Sequence, residues 1–91
     1  MEIKTGKHEF YIEDDQNEKI ARITYQFEDD RTIVANSTFV DPSLRGQGVA
    51  KKLLDHLARY ARDNNIKIRP LCSYVVKAFE KYQEYRDVAV D

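Results

Sequence analysis

The sequence predicts an α/β fold of the α+β kind: a mixed sheet with antiparallel strands first, then a strand–helix–strand unit and a C-terminal helix. Three features of the 91-residue chain carry this expectation. Apolar residues alternate with period two in the first half, the signature of half-buried strands. After Pro42 they recur at helical spacing, which marks an amphipathic helix. A short apolar run over residues 66–71 then separates two helical stretches. The third strand, the long helix and this run make a βαβ unit, with parallel strands and a right-handed crossover.

Each element follows from local chemistry. Phe10 and Ile12 alternate with Tyr11 and Glu13 in a first strand, and Asp14-Asp15-Gln16-Asn17 supplies a turn. In a second strand Ala21, Ile23, Tyr25 and Phe27 fall on one face, with Arg22, Thr24 and Gln26 on the other. Asp29-Asp30 marks another tight turn, and residues 31–40 form a third strand rich in β-branched side chains. Short turns make these three strands an antiparallel meander. Beyond Pro42, Val49, Leu53, Leu57 and Ala61 line one side of a helix of about four turns. Lys51, Lys52, Asp55, Arg59 and Arg62 occupy its other side, and His56 falls on that solvated face. Asp63-Asn64-Asn65 ends the helix, and residues 66–71 are the fourth strand. Ser73 is placed to cap a second helix with an apolar stripe of Val75, Val76, Phe79 and Tyr82.

A chain of this length buries roughly 60–65% of the surface its unfolded form exposes, so a single domain, 1–91, with a small core is expected. Cys72 is the only cysteine, so no internal disulfide is possible. The N-terminus shows no basic stretch followed by an apolar run, and the expected setting is reducing and cytoplasmic. No segment approaches the ~18 apolar residues of a membrane span. A net charge of −1 with 34% charged residues of both signs argues against a general nucleic-acid binder, which would be basic. The two Asp pairs sit at hairpin turns, where Asp is favoured by local hydrogen bonding, so no metal site is expected there.

Residues 41–50 are the most informative stretch. Gly46 and Gly48 flank one residue just before the long helix begins, where glycine lets a backbone turn tightly and approach a ligand. The first amides of a helix lack internal partners and carry partial positive charge, so this end can cradle a pyrophosphate. Arg45, Lys51 and Lys52 cluster there, although a helix N-terminus disfavours cations by ~0.3–1 kcal/mol each. A bound polyphosphate offsets that cost; the plain alternative is a solvated turn with incidental lysines. The loop lacks the Gly-Lys-Ser/Thr of a Walker loop and the third glycine of a dinucleotide fingerprint.

Val40-Asp41-Pro42-Ser43-Leu44-Arg45-Gly46-Gln47-Gly48-Val49-Ala50, followed by Leu53-Leu54, resembles the acetyl-CoA signature of the GCN5-related N-acetyltransferases. That signature reads Arg or Gln, two residues, Gly, one residue, Gly or Ala, and Arg45, Gly48 and Ala50 match it. The resemblance is specific over residues 38–57 and continues more weakly to Tyr85. It implies acetyl-CoA as co-substrate, with Arg45, Gly46, Gln47, Gly48, Val49, Ala50 and Lys51 around the pyrophosphate. It also implies that Phe39 and Val40 pair with the pantetheine arm and that a backbone N–H there polarises the acetyl carbonyl. The chain resembles the very short branch of the family. Only residues 14–18 separate its first two strands, where larger members place two helices that shape the acceptor pocket. It is also expected to stop before the family's final strand pair, leaving the acceptor side open.

The short-branch members carry a Cys-Ser pair where the fourth strand meets the last helix, matched by Cys72-Ser73. This makes Cys72 the candidate catalytic residue and puts Ser73 beside the coenzyme; the plain alternative is a small buried thiol. Phe79 stands where larger relatives have a tyrosine that protonates the departing coenzyme A thiolate, and Tyr74 or Tyr82 could replace it. Ser37-Thr38 stands where short-branch members often have His-Thr, so a histidine base is missing. His8 has no assigned role. The resulting expectation is acetyl transfer from acetyl-CoA to an unidentified amine or protein acceptor, by direct attack or through S-acetyl-Cys72. A non-catalytic coenzyme-A-binding module is the alternative. Neither the acceptor nor the oligomeric state is legible.

Overall fold

The computed structural model describes residues 2–90. Five strands form one sheet in the order of the chain: β1 (Lys4–Gly6), β2 (Glu9–Glu13), β3 (Lys19–Asp29), β4 (Thr32–Val40) and β5 (Lys67–Pro70). The first four are antiparallel neighbours, and β5 runs parallel to β4. Helix α1 (Val49–Asp63) connects β4 to β5, and α2 (Ser73–Lys81) follows β5. The predicted mixed sheet and βαβ unit are therefore present.

The turns use the residues whose chemistry suits them. The Asp14 carboxylate accepts from the amides of Gln16 and Glu18 at 2.9 and 3.0 Å, and Asn17 takes the left-handed conformation at φ 64°. The Asp29 carboxylate accepts from the Arg31 amide at 2.8 Å. Both Asp pairs thus belong to turns. At the end of α1, Asn65 is left-handed at φ 59° and the Ile66 amide reaches back to the Ala61 carbonyl at 2.8 Å, closing the helix.

One face of the sheet holds the core. Phe10, Ile12, Ala21, Ile23, Tyr25, Ile33, Ala35 and Ile68 are buried against Val49, Leu53, Leu54, Leu57, Ala58 and Ala61 of α1 and Val75 and Ala78 of α2. The cross-strand pairs Ala21–Val40, Ile23–Thr38 and Tyr25–Ala35 share this face. Arg22, paired with Phe39, and Gln26, paired with Val34, share the other, where no described residue is buried. The fold is thus two layers, sheet and helices.

Four expectations need correction. β1 was not legible: Lys-Thr-Gly carries no apolar alternation, and its pairing with β2 makes it a strand. Phe27 lies on the predicted face but is 41% exposed and stacks on His8 at 5.7 Å. His56 is half-buried rather than solvated, edge-on to Phe10 at 4.6 Å. The end of the chain also extends the sheet. The Ile68 amide donates to the Val88 carbonyl at 2.6 Å, the Val90 amide donates to the Ile68 carbonyl at 3.0 Å, and Ala89 forms a parallel bridge with Ile68. Among the described residues no helix is long and apolar enough to cross a membrane.

Candidate functional site

A wedge opens between β4 and β5. Their parallel pairing covers only Thr32–Ala35 against Lys67–Pro70. The amides of Leu71 and Cys72 then both donate to the Ala35 carbonyl, at 3.1 and 2.9 Å, and the chain turns into α2. From Ser37 to Val40, β4 keeps only β3 as a paired neighbour. A bulge sets what faces the wedge. Thr24 pairs with Ser37 but Tyr25 with Ala35, so Asn36 is the extra residue, and its side-chain carbonyl accepts the Thr24 hydroxyl at 2.5 Å. The bulge shifts the strand's phase by one residue. Without it Ser37 and Phe39 would follow Ile33 and Ala35 inward. With it Thr38 and Val40 turn inward, and Phe39 points to the uncovered face, 44% exposed.

Cys72 lies across the wedge from Thr38, with its Sγ donating to Thr38 Oγ1 at 3.6 Å. It is the residue immediately before α2, and its side chain forms no capping bond. This corrects the expected cap: Ser73 is the first helical residue, and it is exposed. Of the predicted apolar stripe, Val75 is buried and Phe79 and Tyr82 pack half-buried against the core; Ala78 is the second buried residue of the helix, and Tyr82 follows its last turn. Burial pushes the Cys72 thiol pKa up. The hydrogen bond to the Thr38 side chain, together with the nearby backbone of Val75, Tyr74 and Thr38, more than offsets this and leaves it below the ordinary thiol range.

The glycine loop lies at the N-terminus of α1. Asp41 starts a short 3₁₀ turn over Pro42–Leu44; its carboxylate accepts from the Ser43 amide at 2.9 Å and the Ser43 hydroxyl at 2.6 Å. Those two bonds hold the Asp41 carboxyl below its usual range. Gly46 and Gly48 are both left-handed, at φ 84° and 70°. Gly48 is the residue before α1 and offers no side-chain cap, so none occupies the first helical amides.

Above the loop is an open cleft of about 370 Å³, lined by Val40, Leu44, Arg45, Gly46, Gly48, Val49, Ala50, Lys51, Tyr74 and Tyr82. It brings together seven of the predicted coenzyme residues. Phe39, Gln47, Cys72 and Ser73 are not in its lining. Arg45 and Lys52 are exposed and form no salt bridge among the described residues. Lys51 is held instead, 3.3 Å from a carboxylate oxygen of Asp55 and 3.3 Å from one of Glu84. Phe79 stacks on Tyr85 at 5.3 Å, while Tyr74 and Tyr82 face the cleft. Burial raises the Tyr74 phenol, and the nearby Tyr82 adds to the rise. His56 and Tyr60 line a separate cavity of about 350 Å³ that shares no residue with the cleft. Among the described residues no three His, Cys, Asp or Glu side chains converge as a metal site would require.

The family model described as "GCN5-related N-acetyl-transferase" matches residues 9–88. A GCN5-like candidate N-acetyltransferase from Staphylococcus aureus, solved in solution, is 46% identical, with a TM-score of 0.84, and the match covers 98% of this chain and 87% of that one. A GNAT family acetyltransferase from Elizabethkingia anophelis with acetyl-CoA bound is 18% identical, covers 85% of this chain and 51% of that one, and has a TM-score of 0.60. A Mycobacterium tuberculosis protein in complex with CoA is 17% identical, covers 67% of this chain and 39% of that one, and has a TM-score of 0.56. At these low identities the last two show the fold alone, and the chain spans about half or less of their length. No curated protein matches the chain.

Proposed function

The chain belongs to the GCN5-related N-acetyltransferase family, and from that membership we propose that it binds acetyl-CoA at the glycine loop and transfers the acetyl group to an amine through Cys72. The observation that carries this reading is the meeting of two features at the same end of β4. One is a left-handed glycine loop opening an uncapped helix; the other is a thiol facing the unpaired stretch of that strand. The loop amides suit the pyrophosphate, and the Ser37–Val40 edge suits an extended pantetheine arm. The complexes of the two larger proteins with CoA and acetyl-CoA support the same ligand class.

In the chemical step the Cys72 sulfur attacks the acetyl carbon. The bond to the coenzyme A sulfur breaks, and the proton leaving Cys72 balances the thiolate released. To Tyr74 and Tyr82, which line the cleft, we assign the relay of that proton, since Phe79 has no hydroxyl and stacks on Tyr85. Thiol–thioester exchange is near thermoneutral, so the acyl-enzyme is accessible. A neutral amine then takes the acetyl group and returns Cys72 to the thiol. The lowered thiol pKa increases the thiolate available to this covalent route.

The test is to mix the protein with acetyl-CoA and no acceptor, quench in acid and weigh the intact chain. The covalent reading expects one added acetyl group, removable by hydroxylamine, absent in Cys72→Ala, and formed at least as fast as turnover. Full transfer to an amine by Cys72→Ala would move the chemistry to direct attack. Coenzyme binding with no transfer to any amine or peptide would leave a coenzyme-A-binding module.

A further inference from the structure

Lys51 is the third residue of α1 and lines the cleft. The helix dipole disfavours a cation there, and holding so long a side chain in one place costs rotamer entropy. Four groups nonetheless surround it. Its ammonium is 3.3 Å from Asp55 Oδ2 and 3.3 Å from Glu84 Oε2, and it lies 4.8 Å over the Tyr82 ring and 5.5 Å over the Tyr85 ring. Asp55 is held in its turn, since the Tyr85 hydroxyl donates to its Oδ1. Tyr85 is only 1% exposed, stacked on Phe79 and edge-on to Tyr82 at 6.2 Å. A chain of contacts thus runs from the core through Tyr85 to two groups in the cleft wall, Lys51 by way of Asp55 and Tyr82 by ring contact.

We propose that Tyr85 is a positioning residue for the coenzyme cleft: through Asp55 it fixes the Lys51 ammonium, beside Tyr82, where it meets the phosphates of the coenzyme. The inference rests on the acetyl-CoA reading above. The two carboxylates around Lys51 have different roles. Asp55 is tied to the interior by the Tyr85 hydroxyl. Glu84 lies 54% exposed on the 3₁₀ turn Gln83–Tyr85 and is the partner that yields to an incoming phosphate. Glu84 therefore competes with the ligand, while Tyr85 and Asp55 present Lys51 to it.

This assigns opposite signs to two changes in one network. Tyr85→Phe keeps the ring and its packing but drops the bond to Asp55; it should raise the Kd of acetyl-CoA about 3- to 10-fold, the scale of one hydrogen bond. Glu84→Gln removes the competing charge and should lower that Kd. S-acetylpantetheine, which has no phosphates, should bind both variants as it binds the wild type. Calorimetric titration of both ligands into each protein, with melting curves to confirm folding, makes the test. An unchanged acetyl-CoA affinity in Tyr85→Phe overturns the inference while the coenzyme reading stands. So does an equal loss for both ligands, which would make Tyr85 a packing residue only, or weaker acetyl-CoA binding by Glu84→Gln. A wild type that binds neither ligand overturns the coenzyme reading itself.

Discussion

Gly48→Ala separates what the glycine loop does for folding from what it does for the ligand. Gly48 sits at φ 70°, so an L-residue there adopts the left-handed conformation, at roughly 1–2 kcal/mol. A Cβ built at this position has no heavy atom within 4 Å, so no clash adds to that cost. For a domain of this size each kcal/mol lowers Tm by about 4–8 °C, and the variant should melt about 4–16 °C below wild type yet remain folded at room temperature. Gly48 lines the open cleft, so on the proposed reading the added methyl group crowds the loop amides offered to the pyrophosphate. Calorimetric titration with acetyl-CoA should show affinity reduced about tenfold or more, ~1.4 kcal/mol or above. Gly6→Ala is the control. Its Cβ would meet the Glu9 side chain at 2.9 Å, far along the sheet from the loop, so it should alter stability and spare coenzyme affinity. Unchanged affinity in folded Gly48→Ala would refute the cradle. An unchanged Tm would refute the strained backbone on which the magnitude rests.

Two further outcomes follow from the core and from the thiol. Leu57 is fully buried under the sheet, and Leu57→Ala should cost ~2–5 kcal/mol, a large part of the ~5–15 kcal/mol of a small domain; a urea midpoint within error of wild type would contradict the packing described. For Cys72, hydrogen bonding outweighs burial and lowers the thiol pKa, so its alkylation rate should rise with pH through an inflection below that of an ordinary thiol. Thr38→Val removes the side-chain partner and should move that inflection upward; identical profiles would show that Thr38 does not set the thiolate.

The elements that were legible are those whose residues obey one simple period. The alternation of Ile23 and Tyr25 and the spacing of Val49, Leu53 and Leu57 gave β3 and α1 close to their observed bounds. Seven of the residues predicted for the coenzyme line one cleft because they come from one contiguous stretch, residues 40–51, where sequence neighbours are spatial neighbours. What escaped was long-range. The bulge at Asn36 leaves no mark in composition, yet it decides that Thr38 rather than Phe39 faces Cys72. Lys51 reads as a free cation for phosphate, because its partners Glu84 and the Tyr82 and Tyr85 rings lie more than thirty positions away along the chain. His56 read as solvated because Phe10, against which it packs, comes from β2. The parallel bridge at Ala89 escaped for the same reason.

That C-terminal segment joins stability to the site. Tyr85 and Val88 are essentially buried, and side chains of this kind contribute ~1.5–3 kcal/mol each when removed from water. Around them Arg62 grips Asp87 with two nitrogens, at 2.5 and 3.0 Å, and donates to the Glu84 carbonyl at 2.8 Å, while Lys67 donates to the Asp87 carbonyl at 2.5 Å. These pairs are partly exposed, and exposed ion pairs contribute ~0–1 kcal/mol, so packing docks the segment and the charges set its register. The residues just before it, Tyr82 and Glu84, reach the cleft above the glycine loop through ring and charge contacts with Lys51. Because Tyr85 and Val88 close the core, the cleft wall depends on that closure. If the proposed coenzyme contacts hold, reciprocity of coupling follows: whatever docking of the segment adds to coenzyme affinity, bound coenzyme returns to the docking.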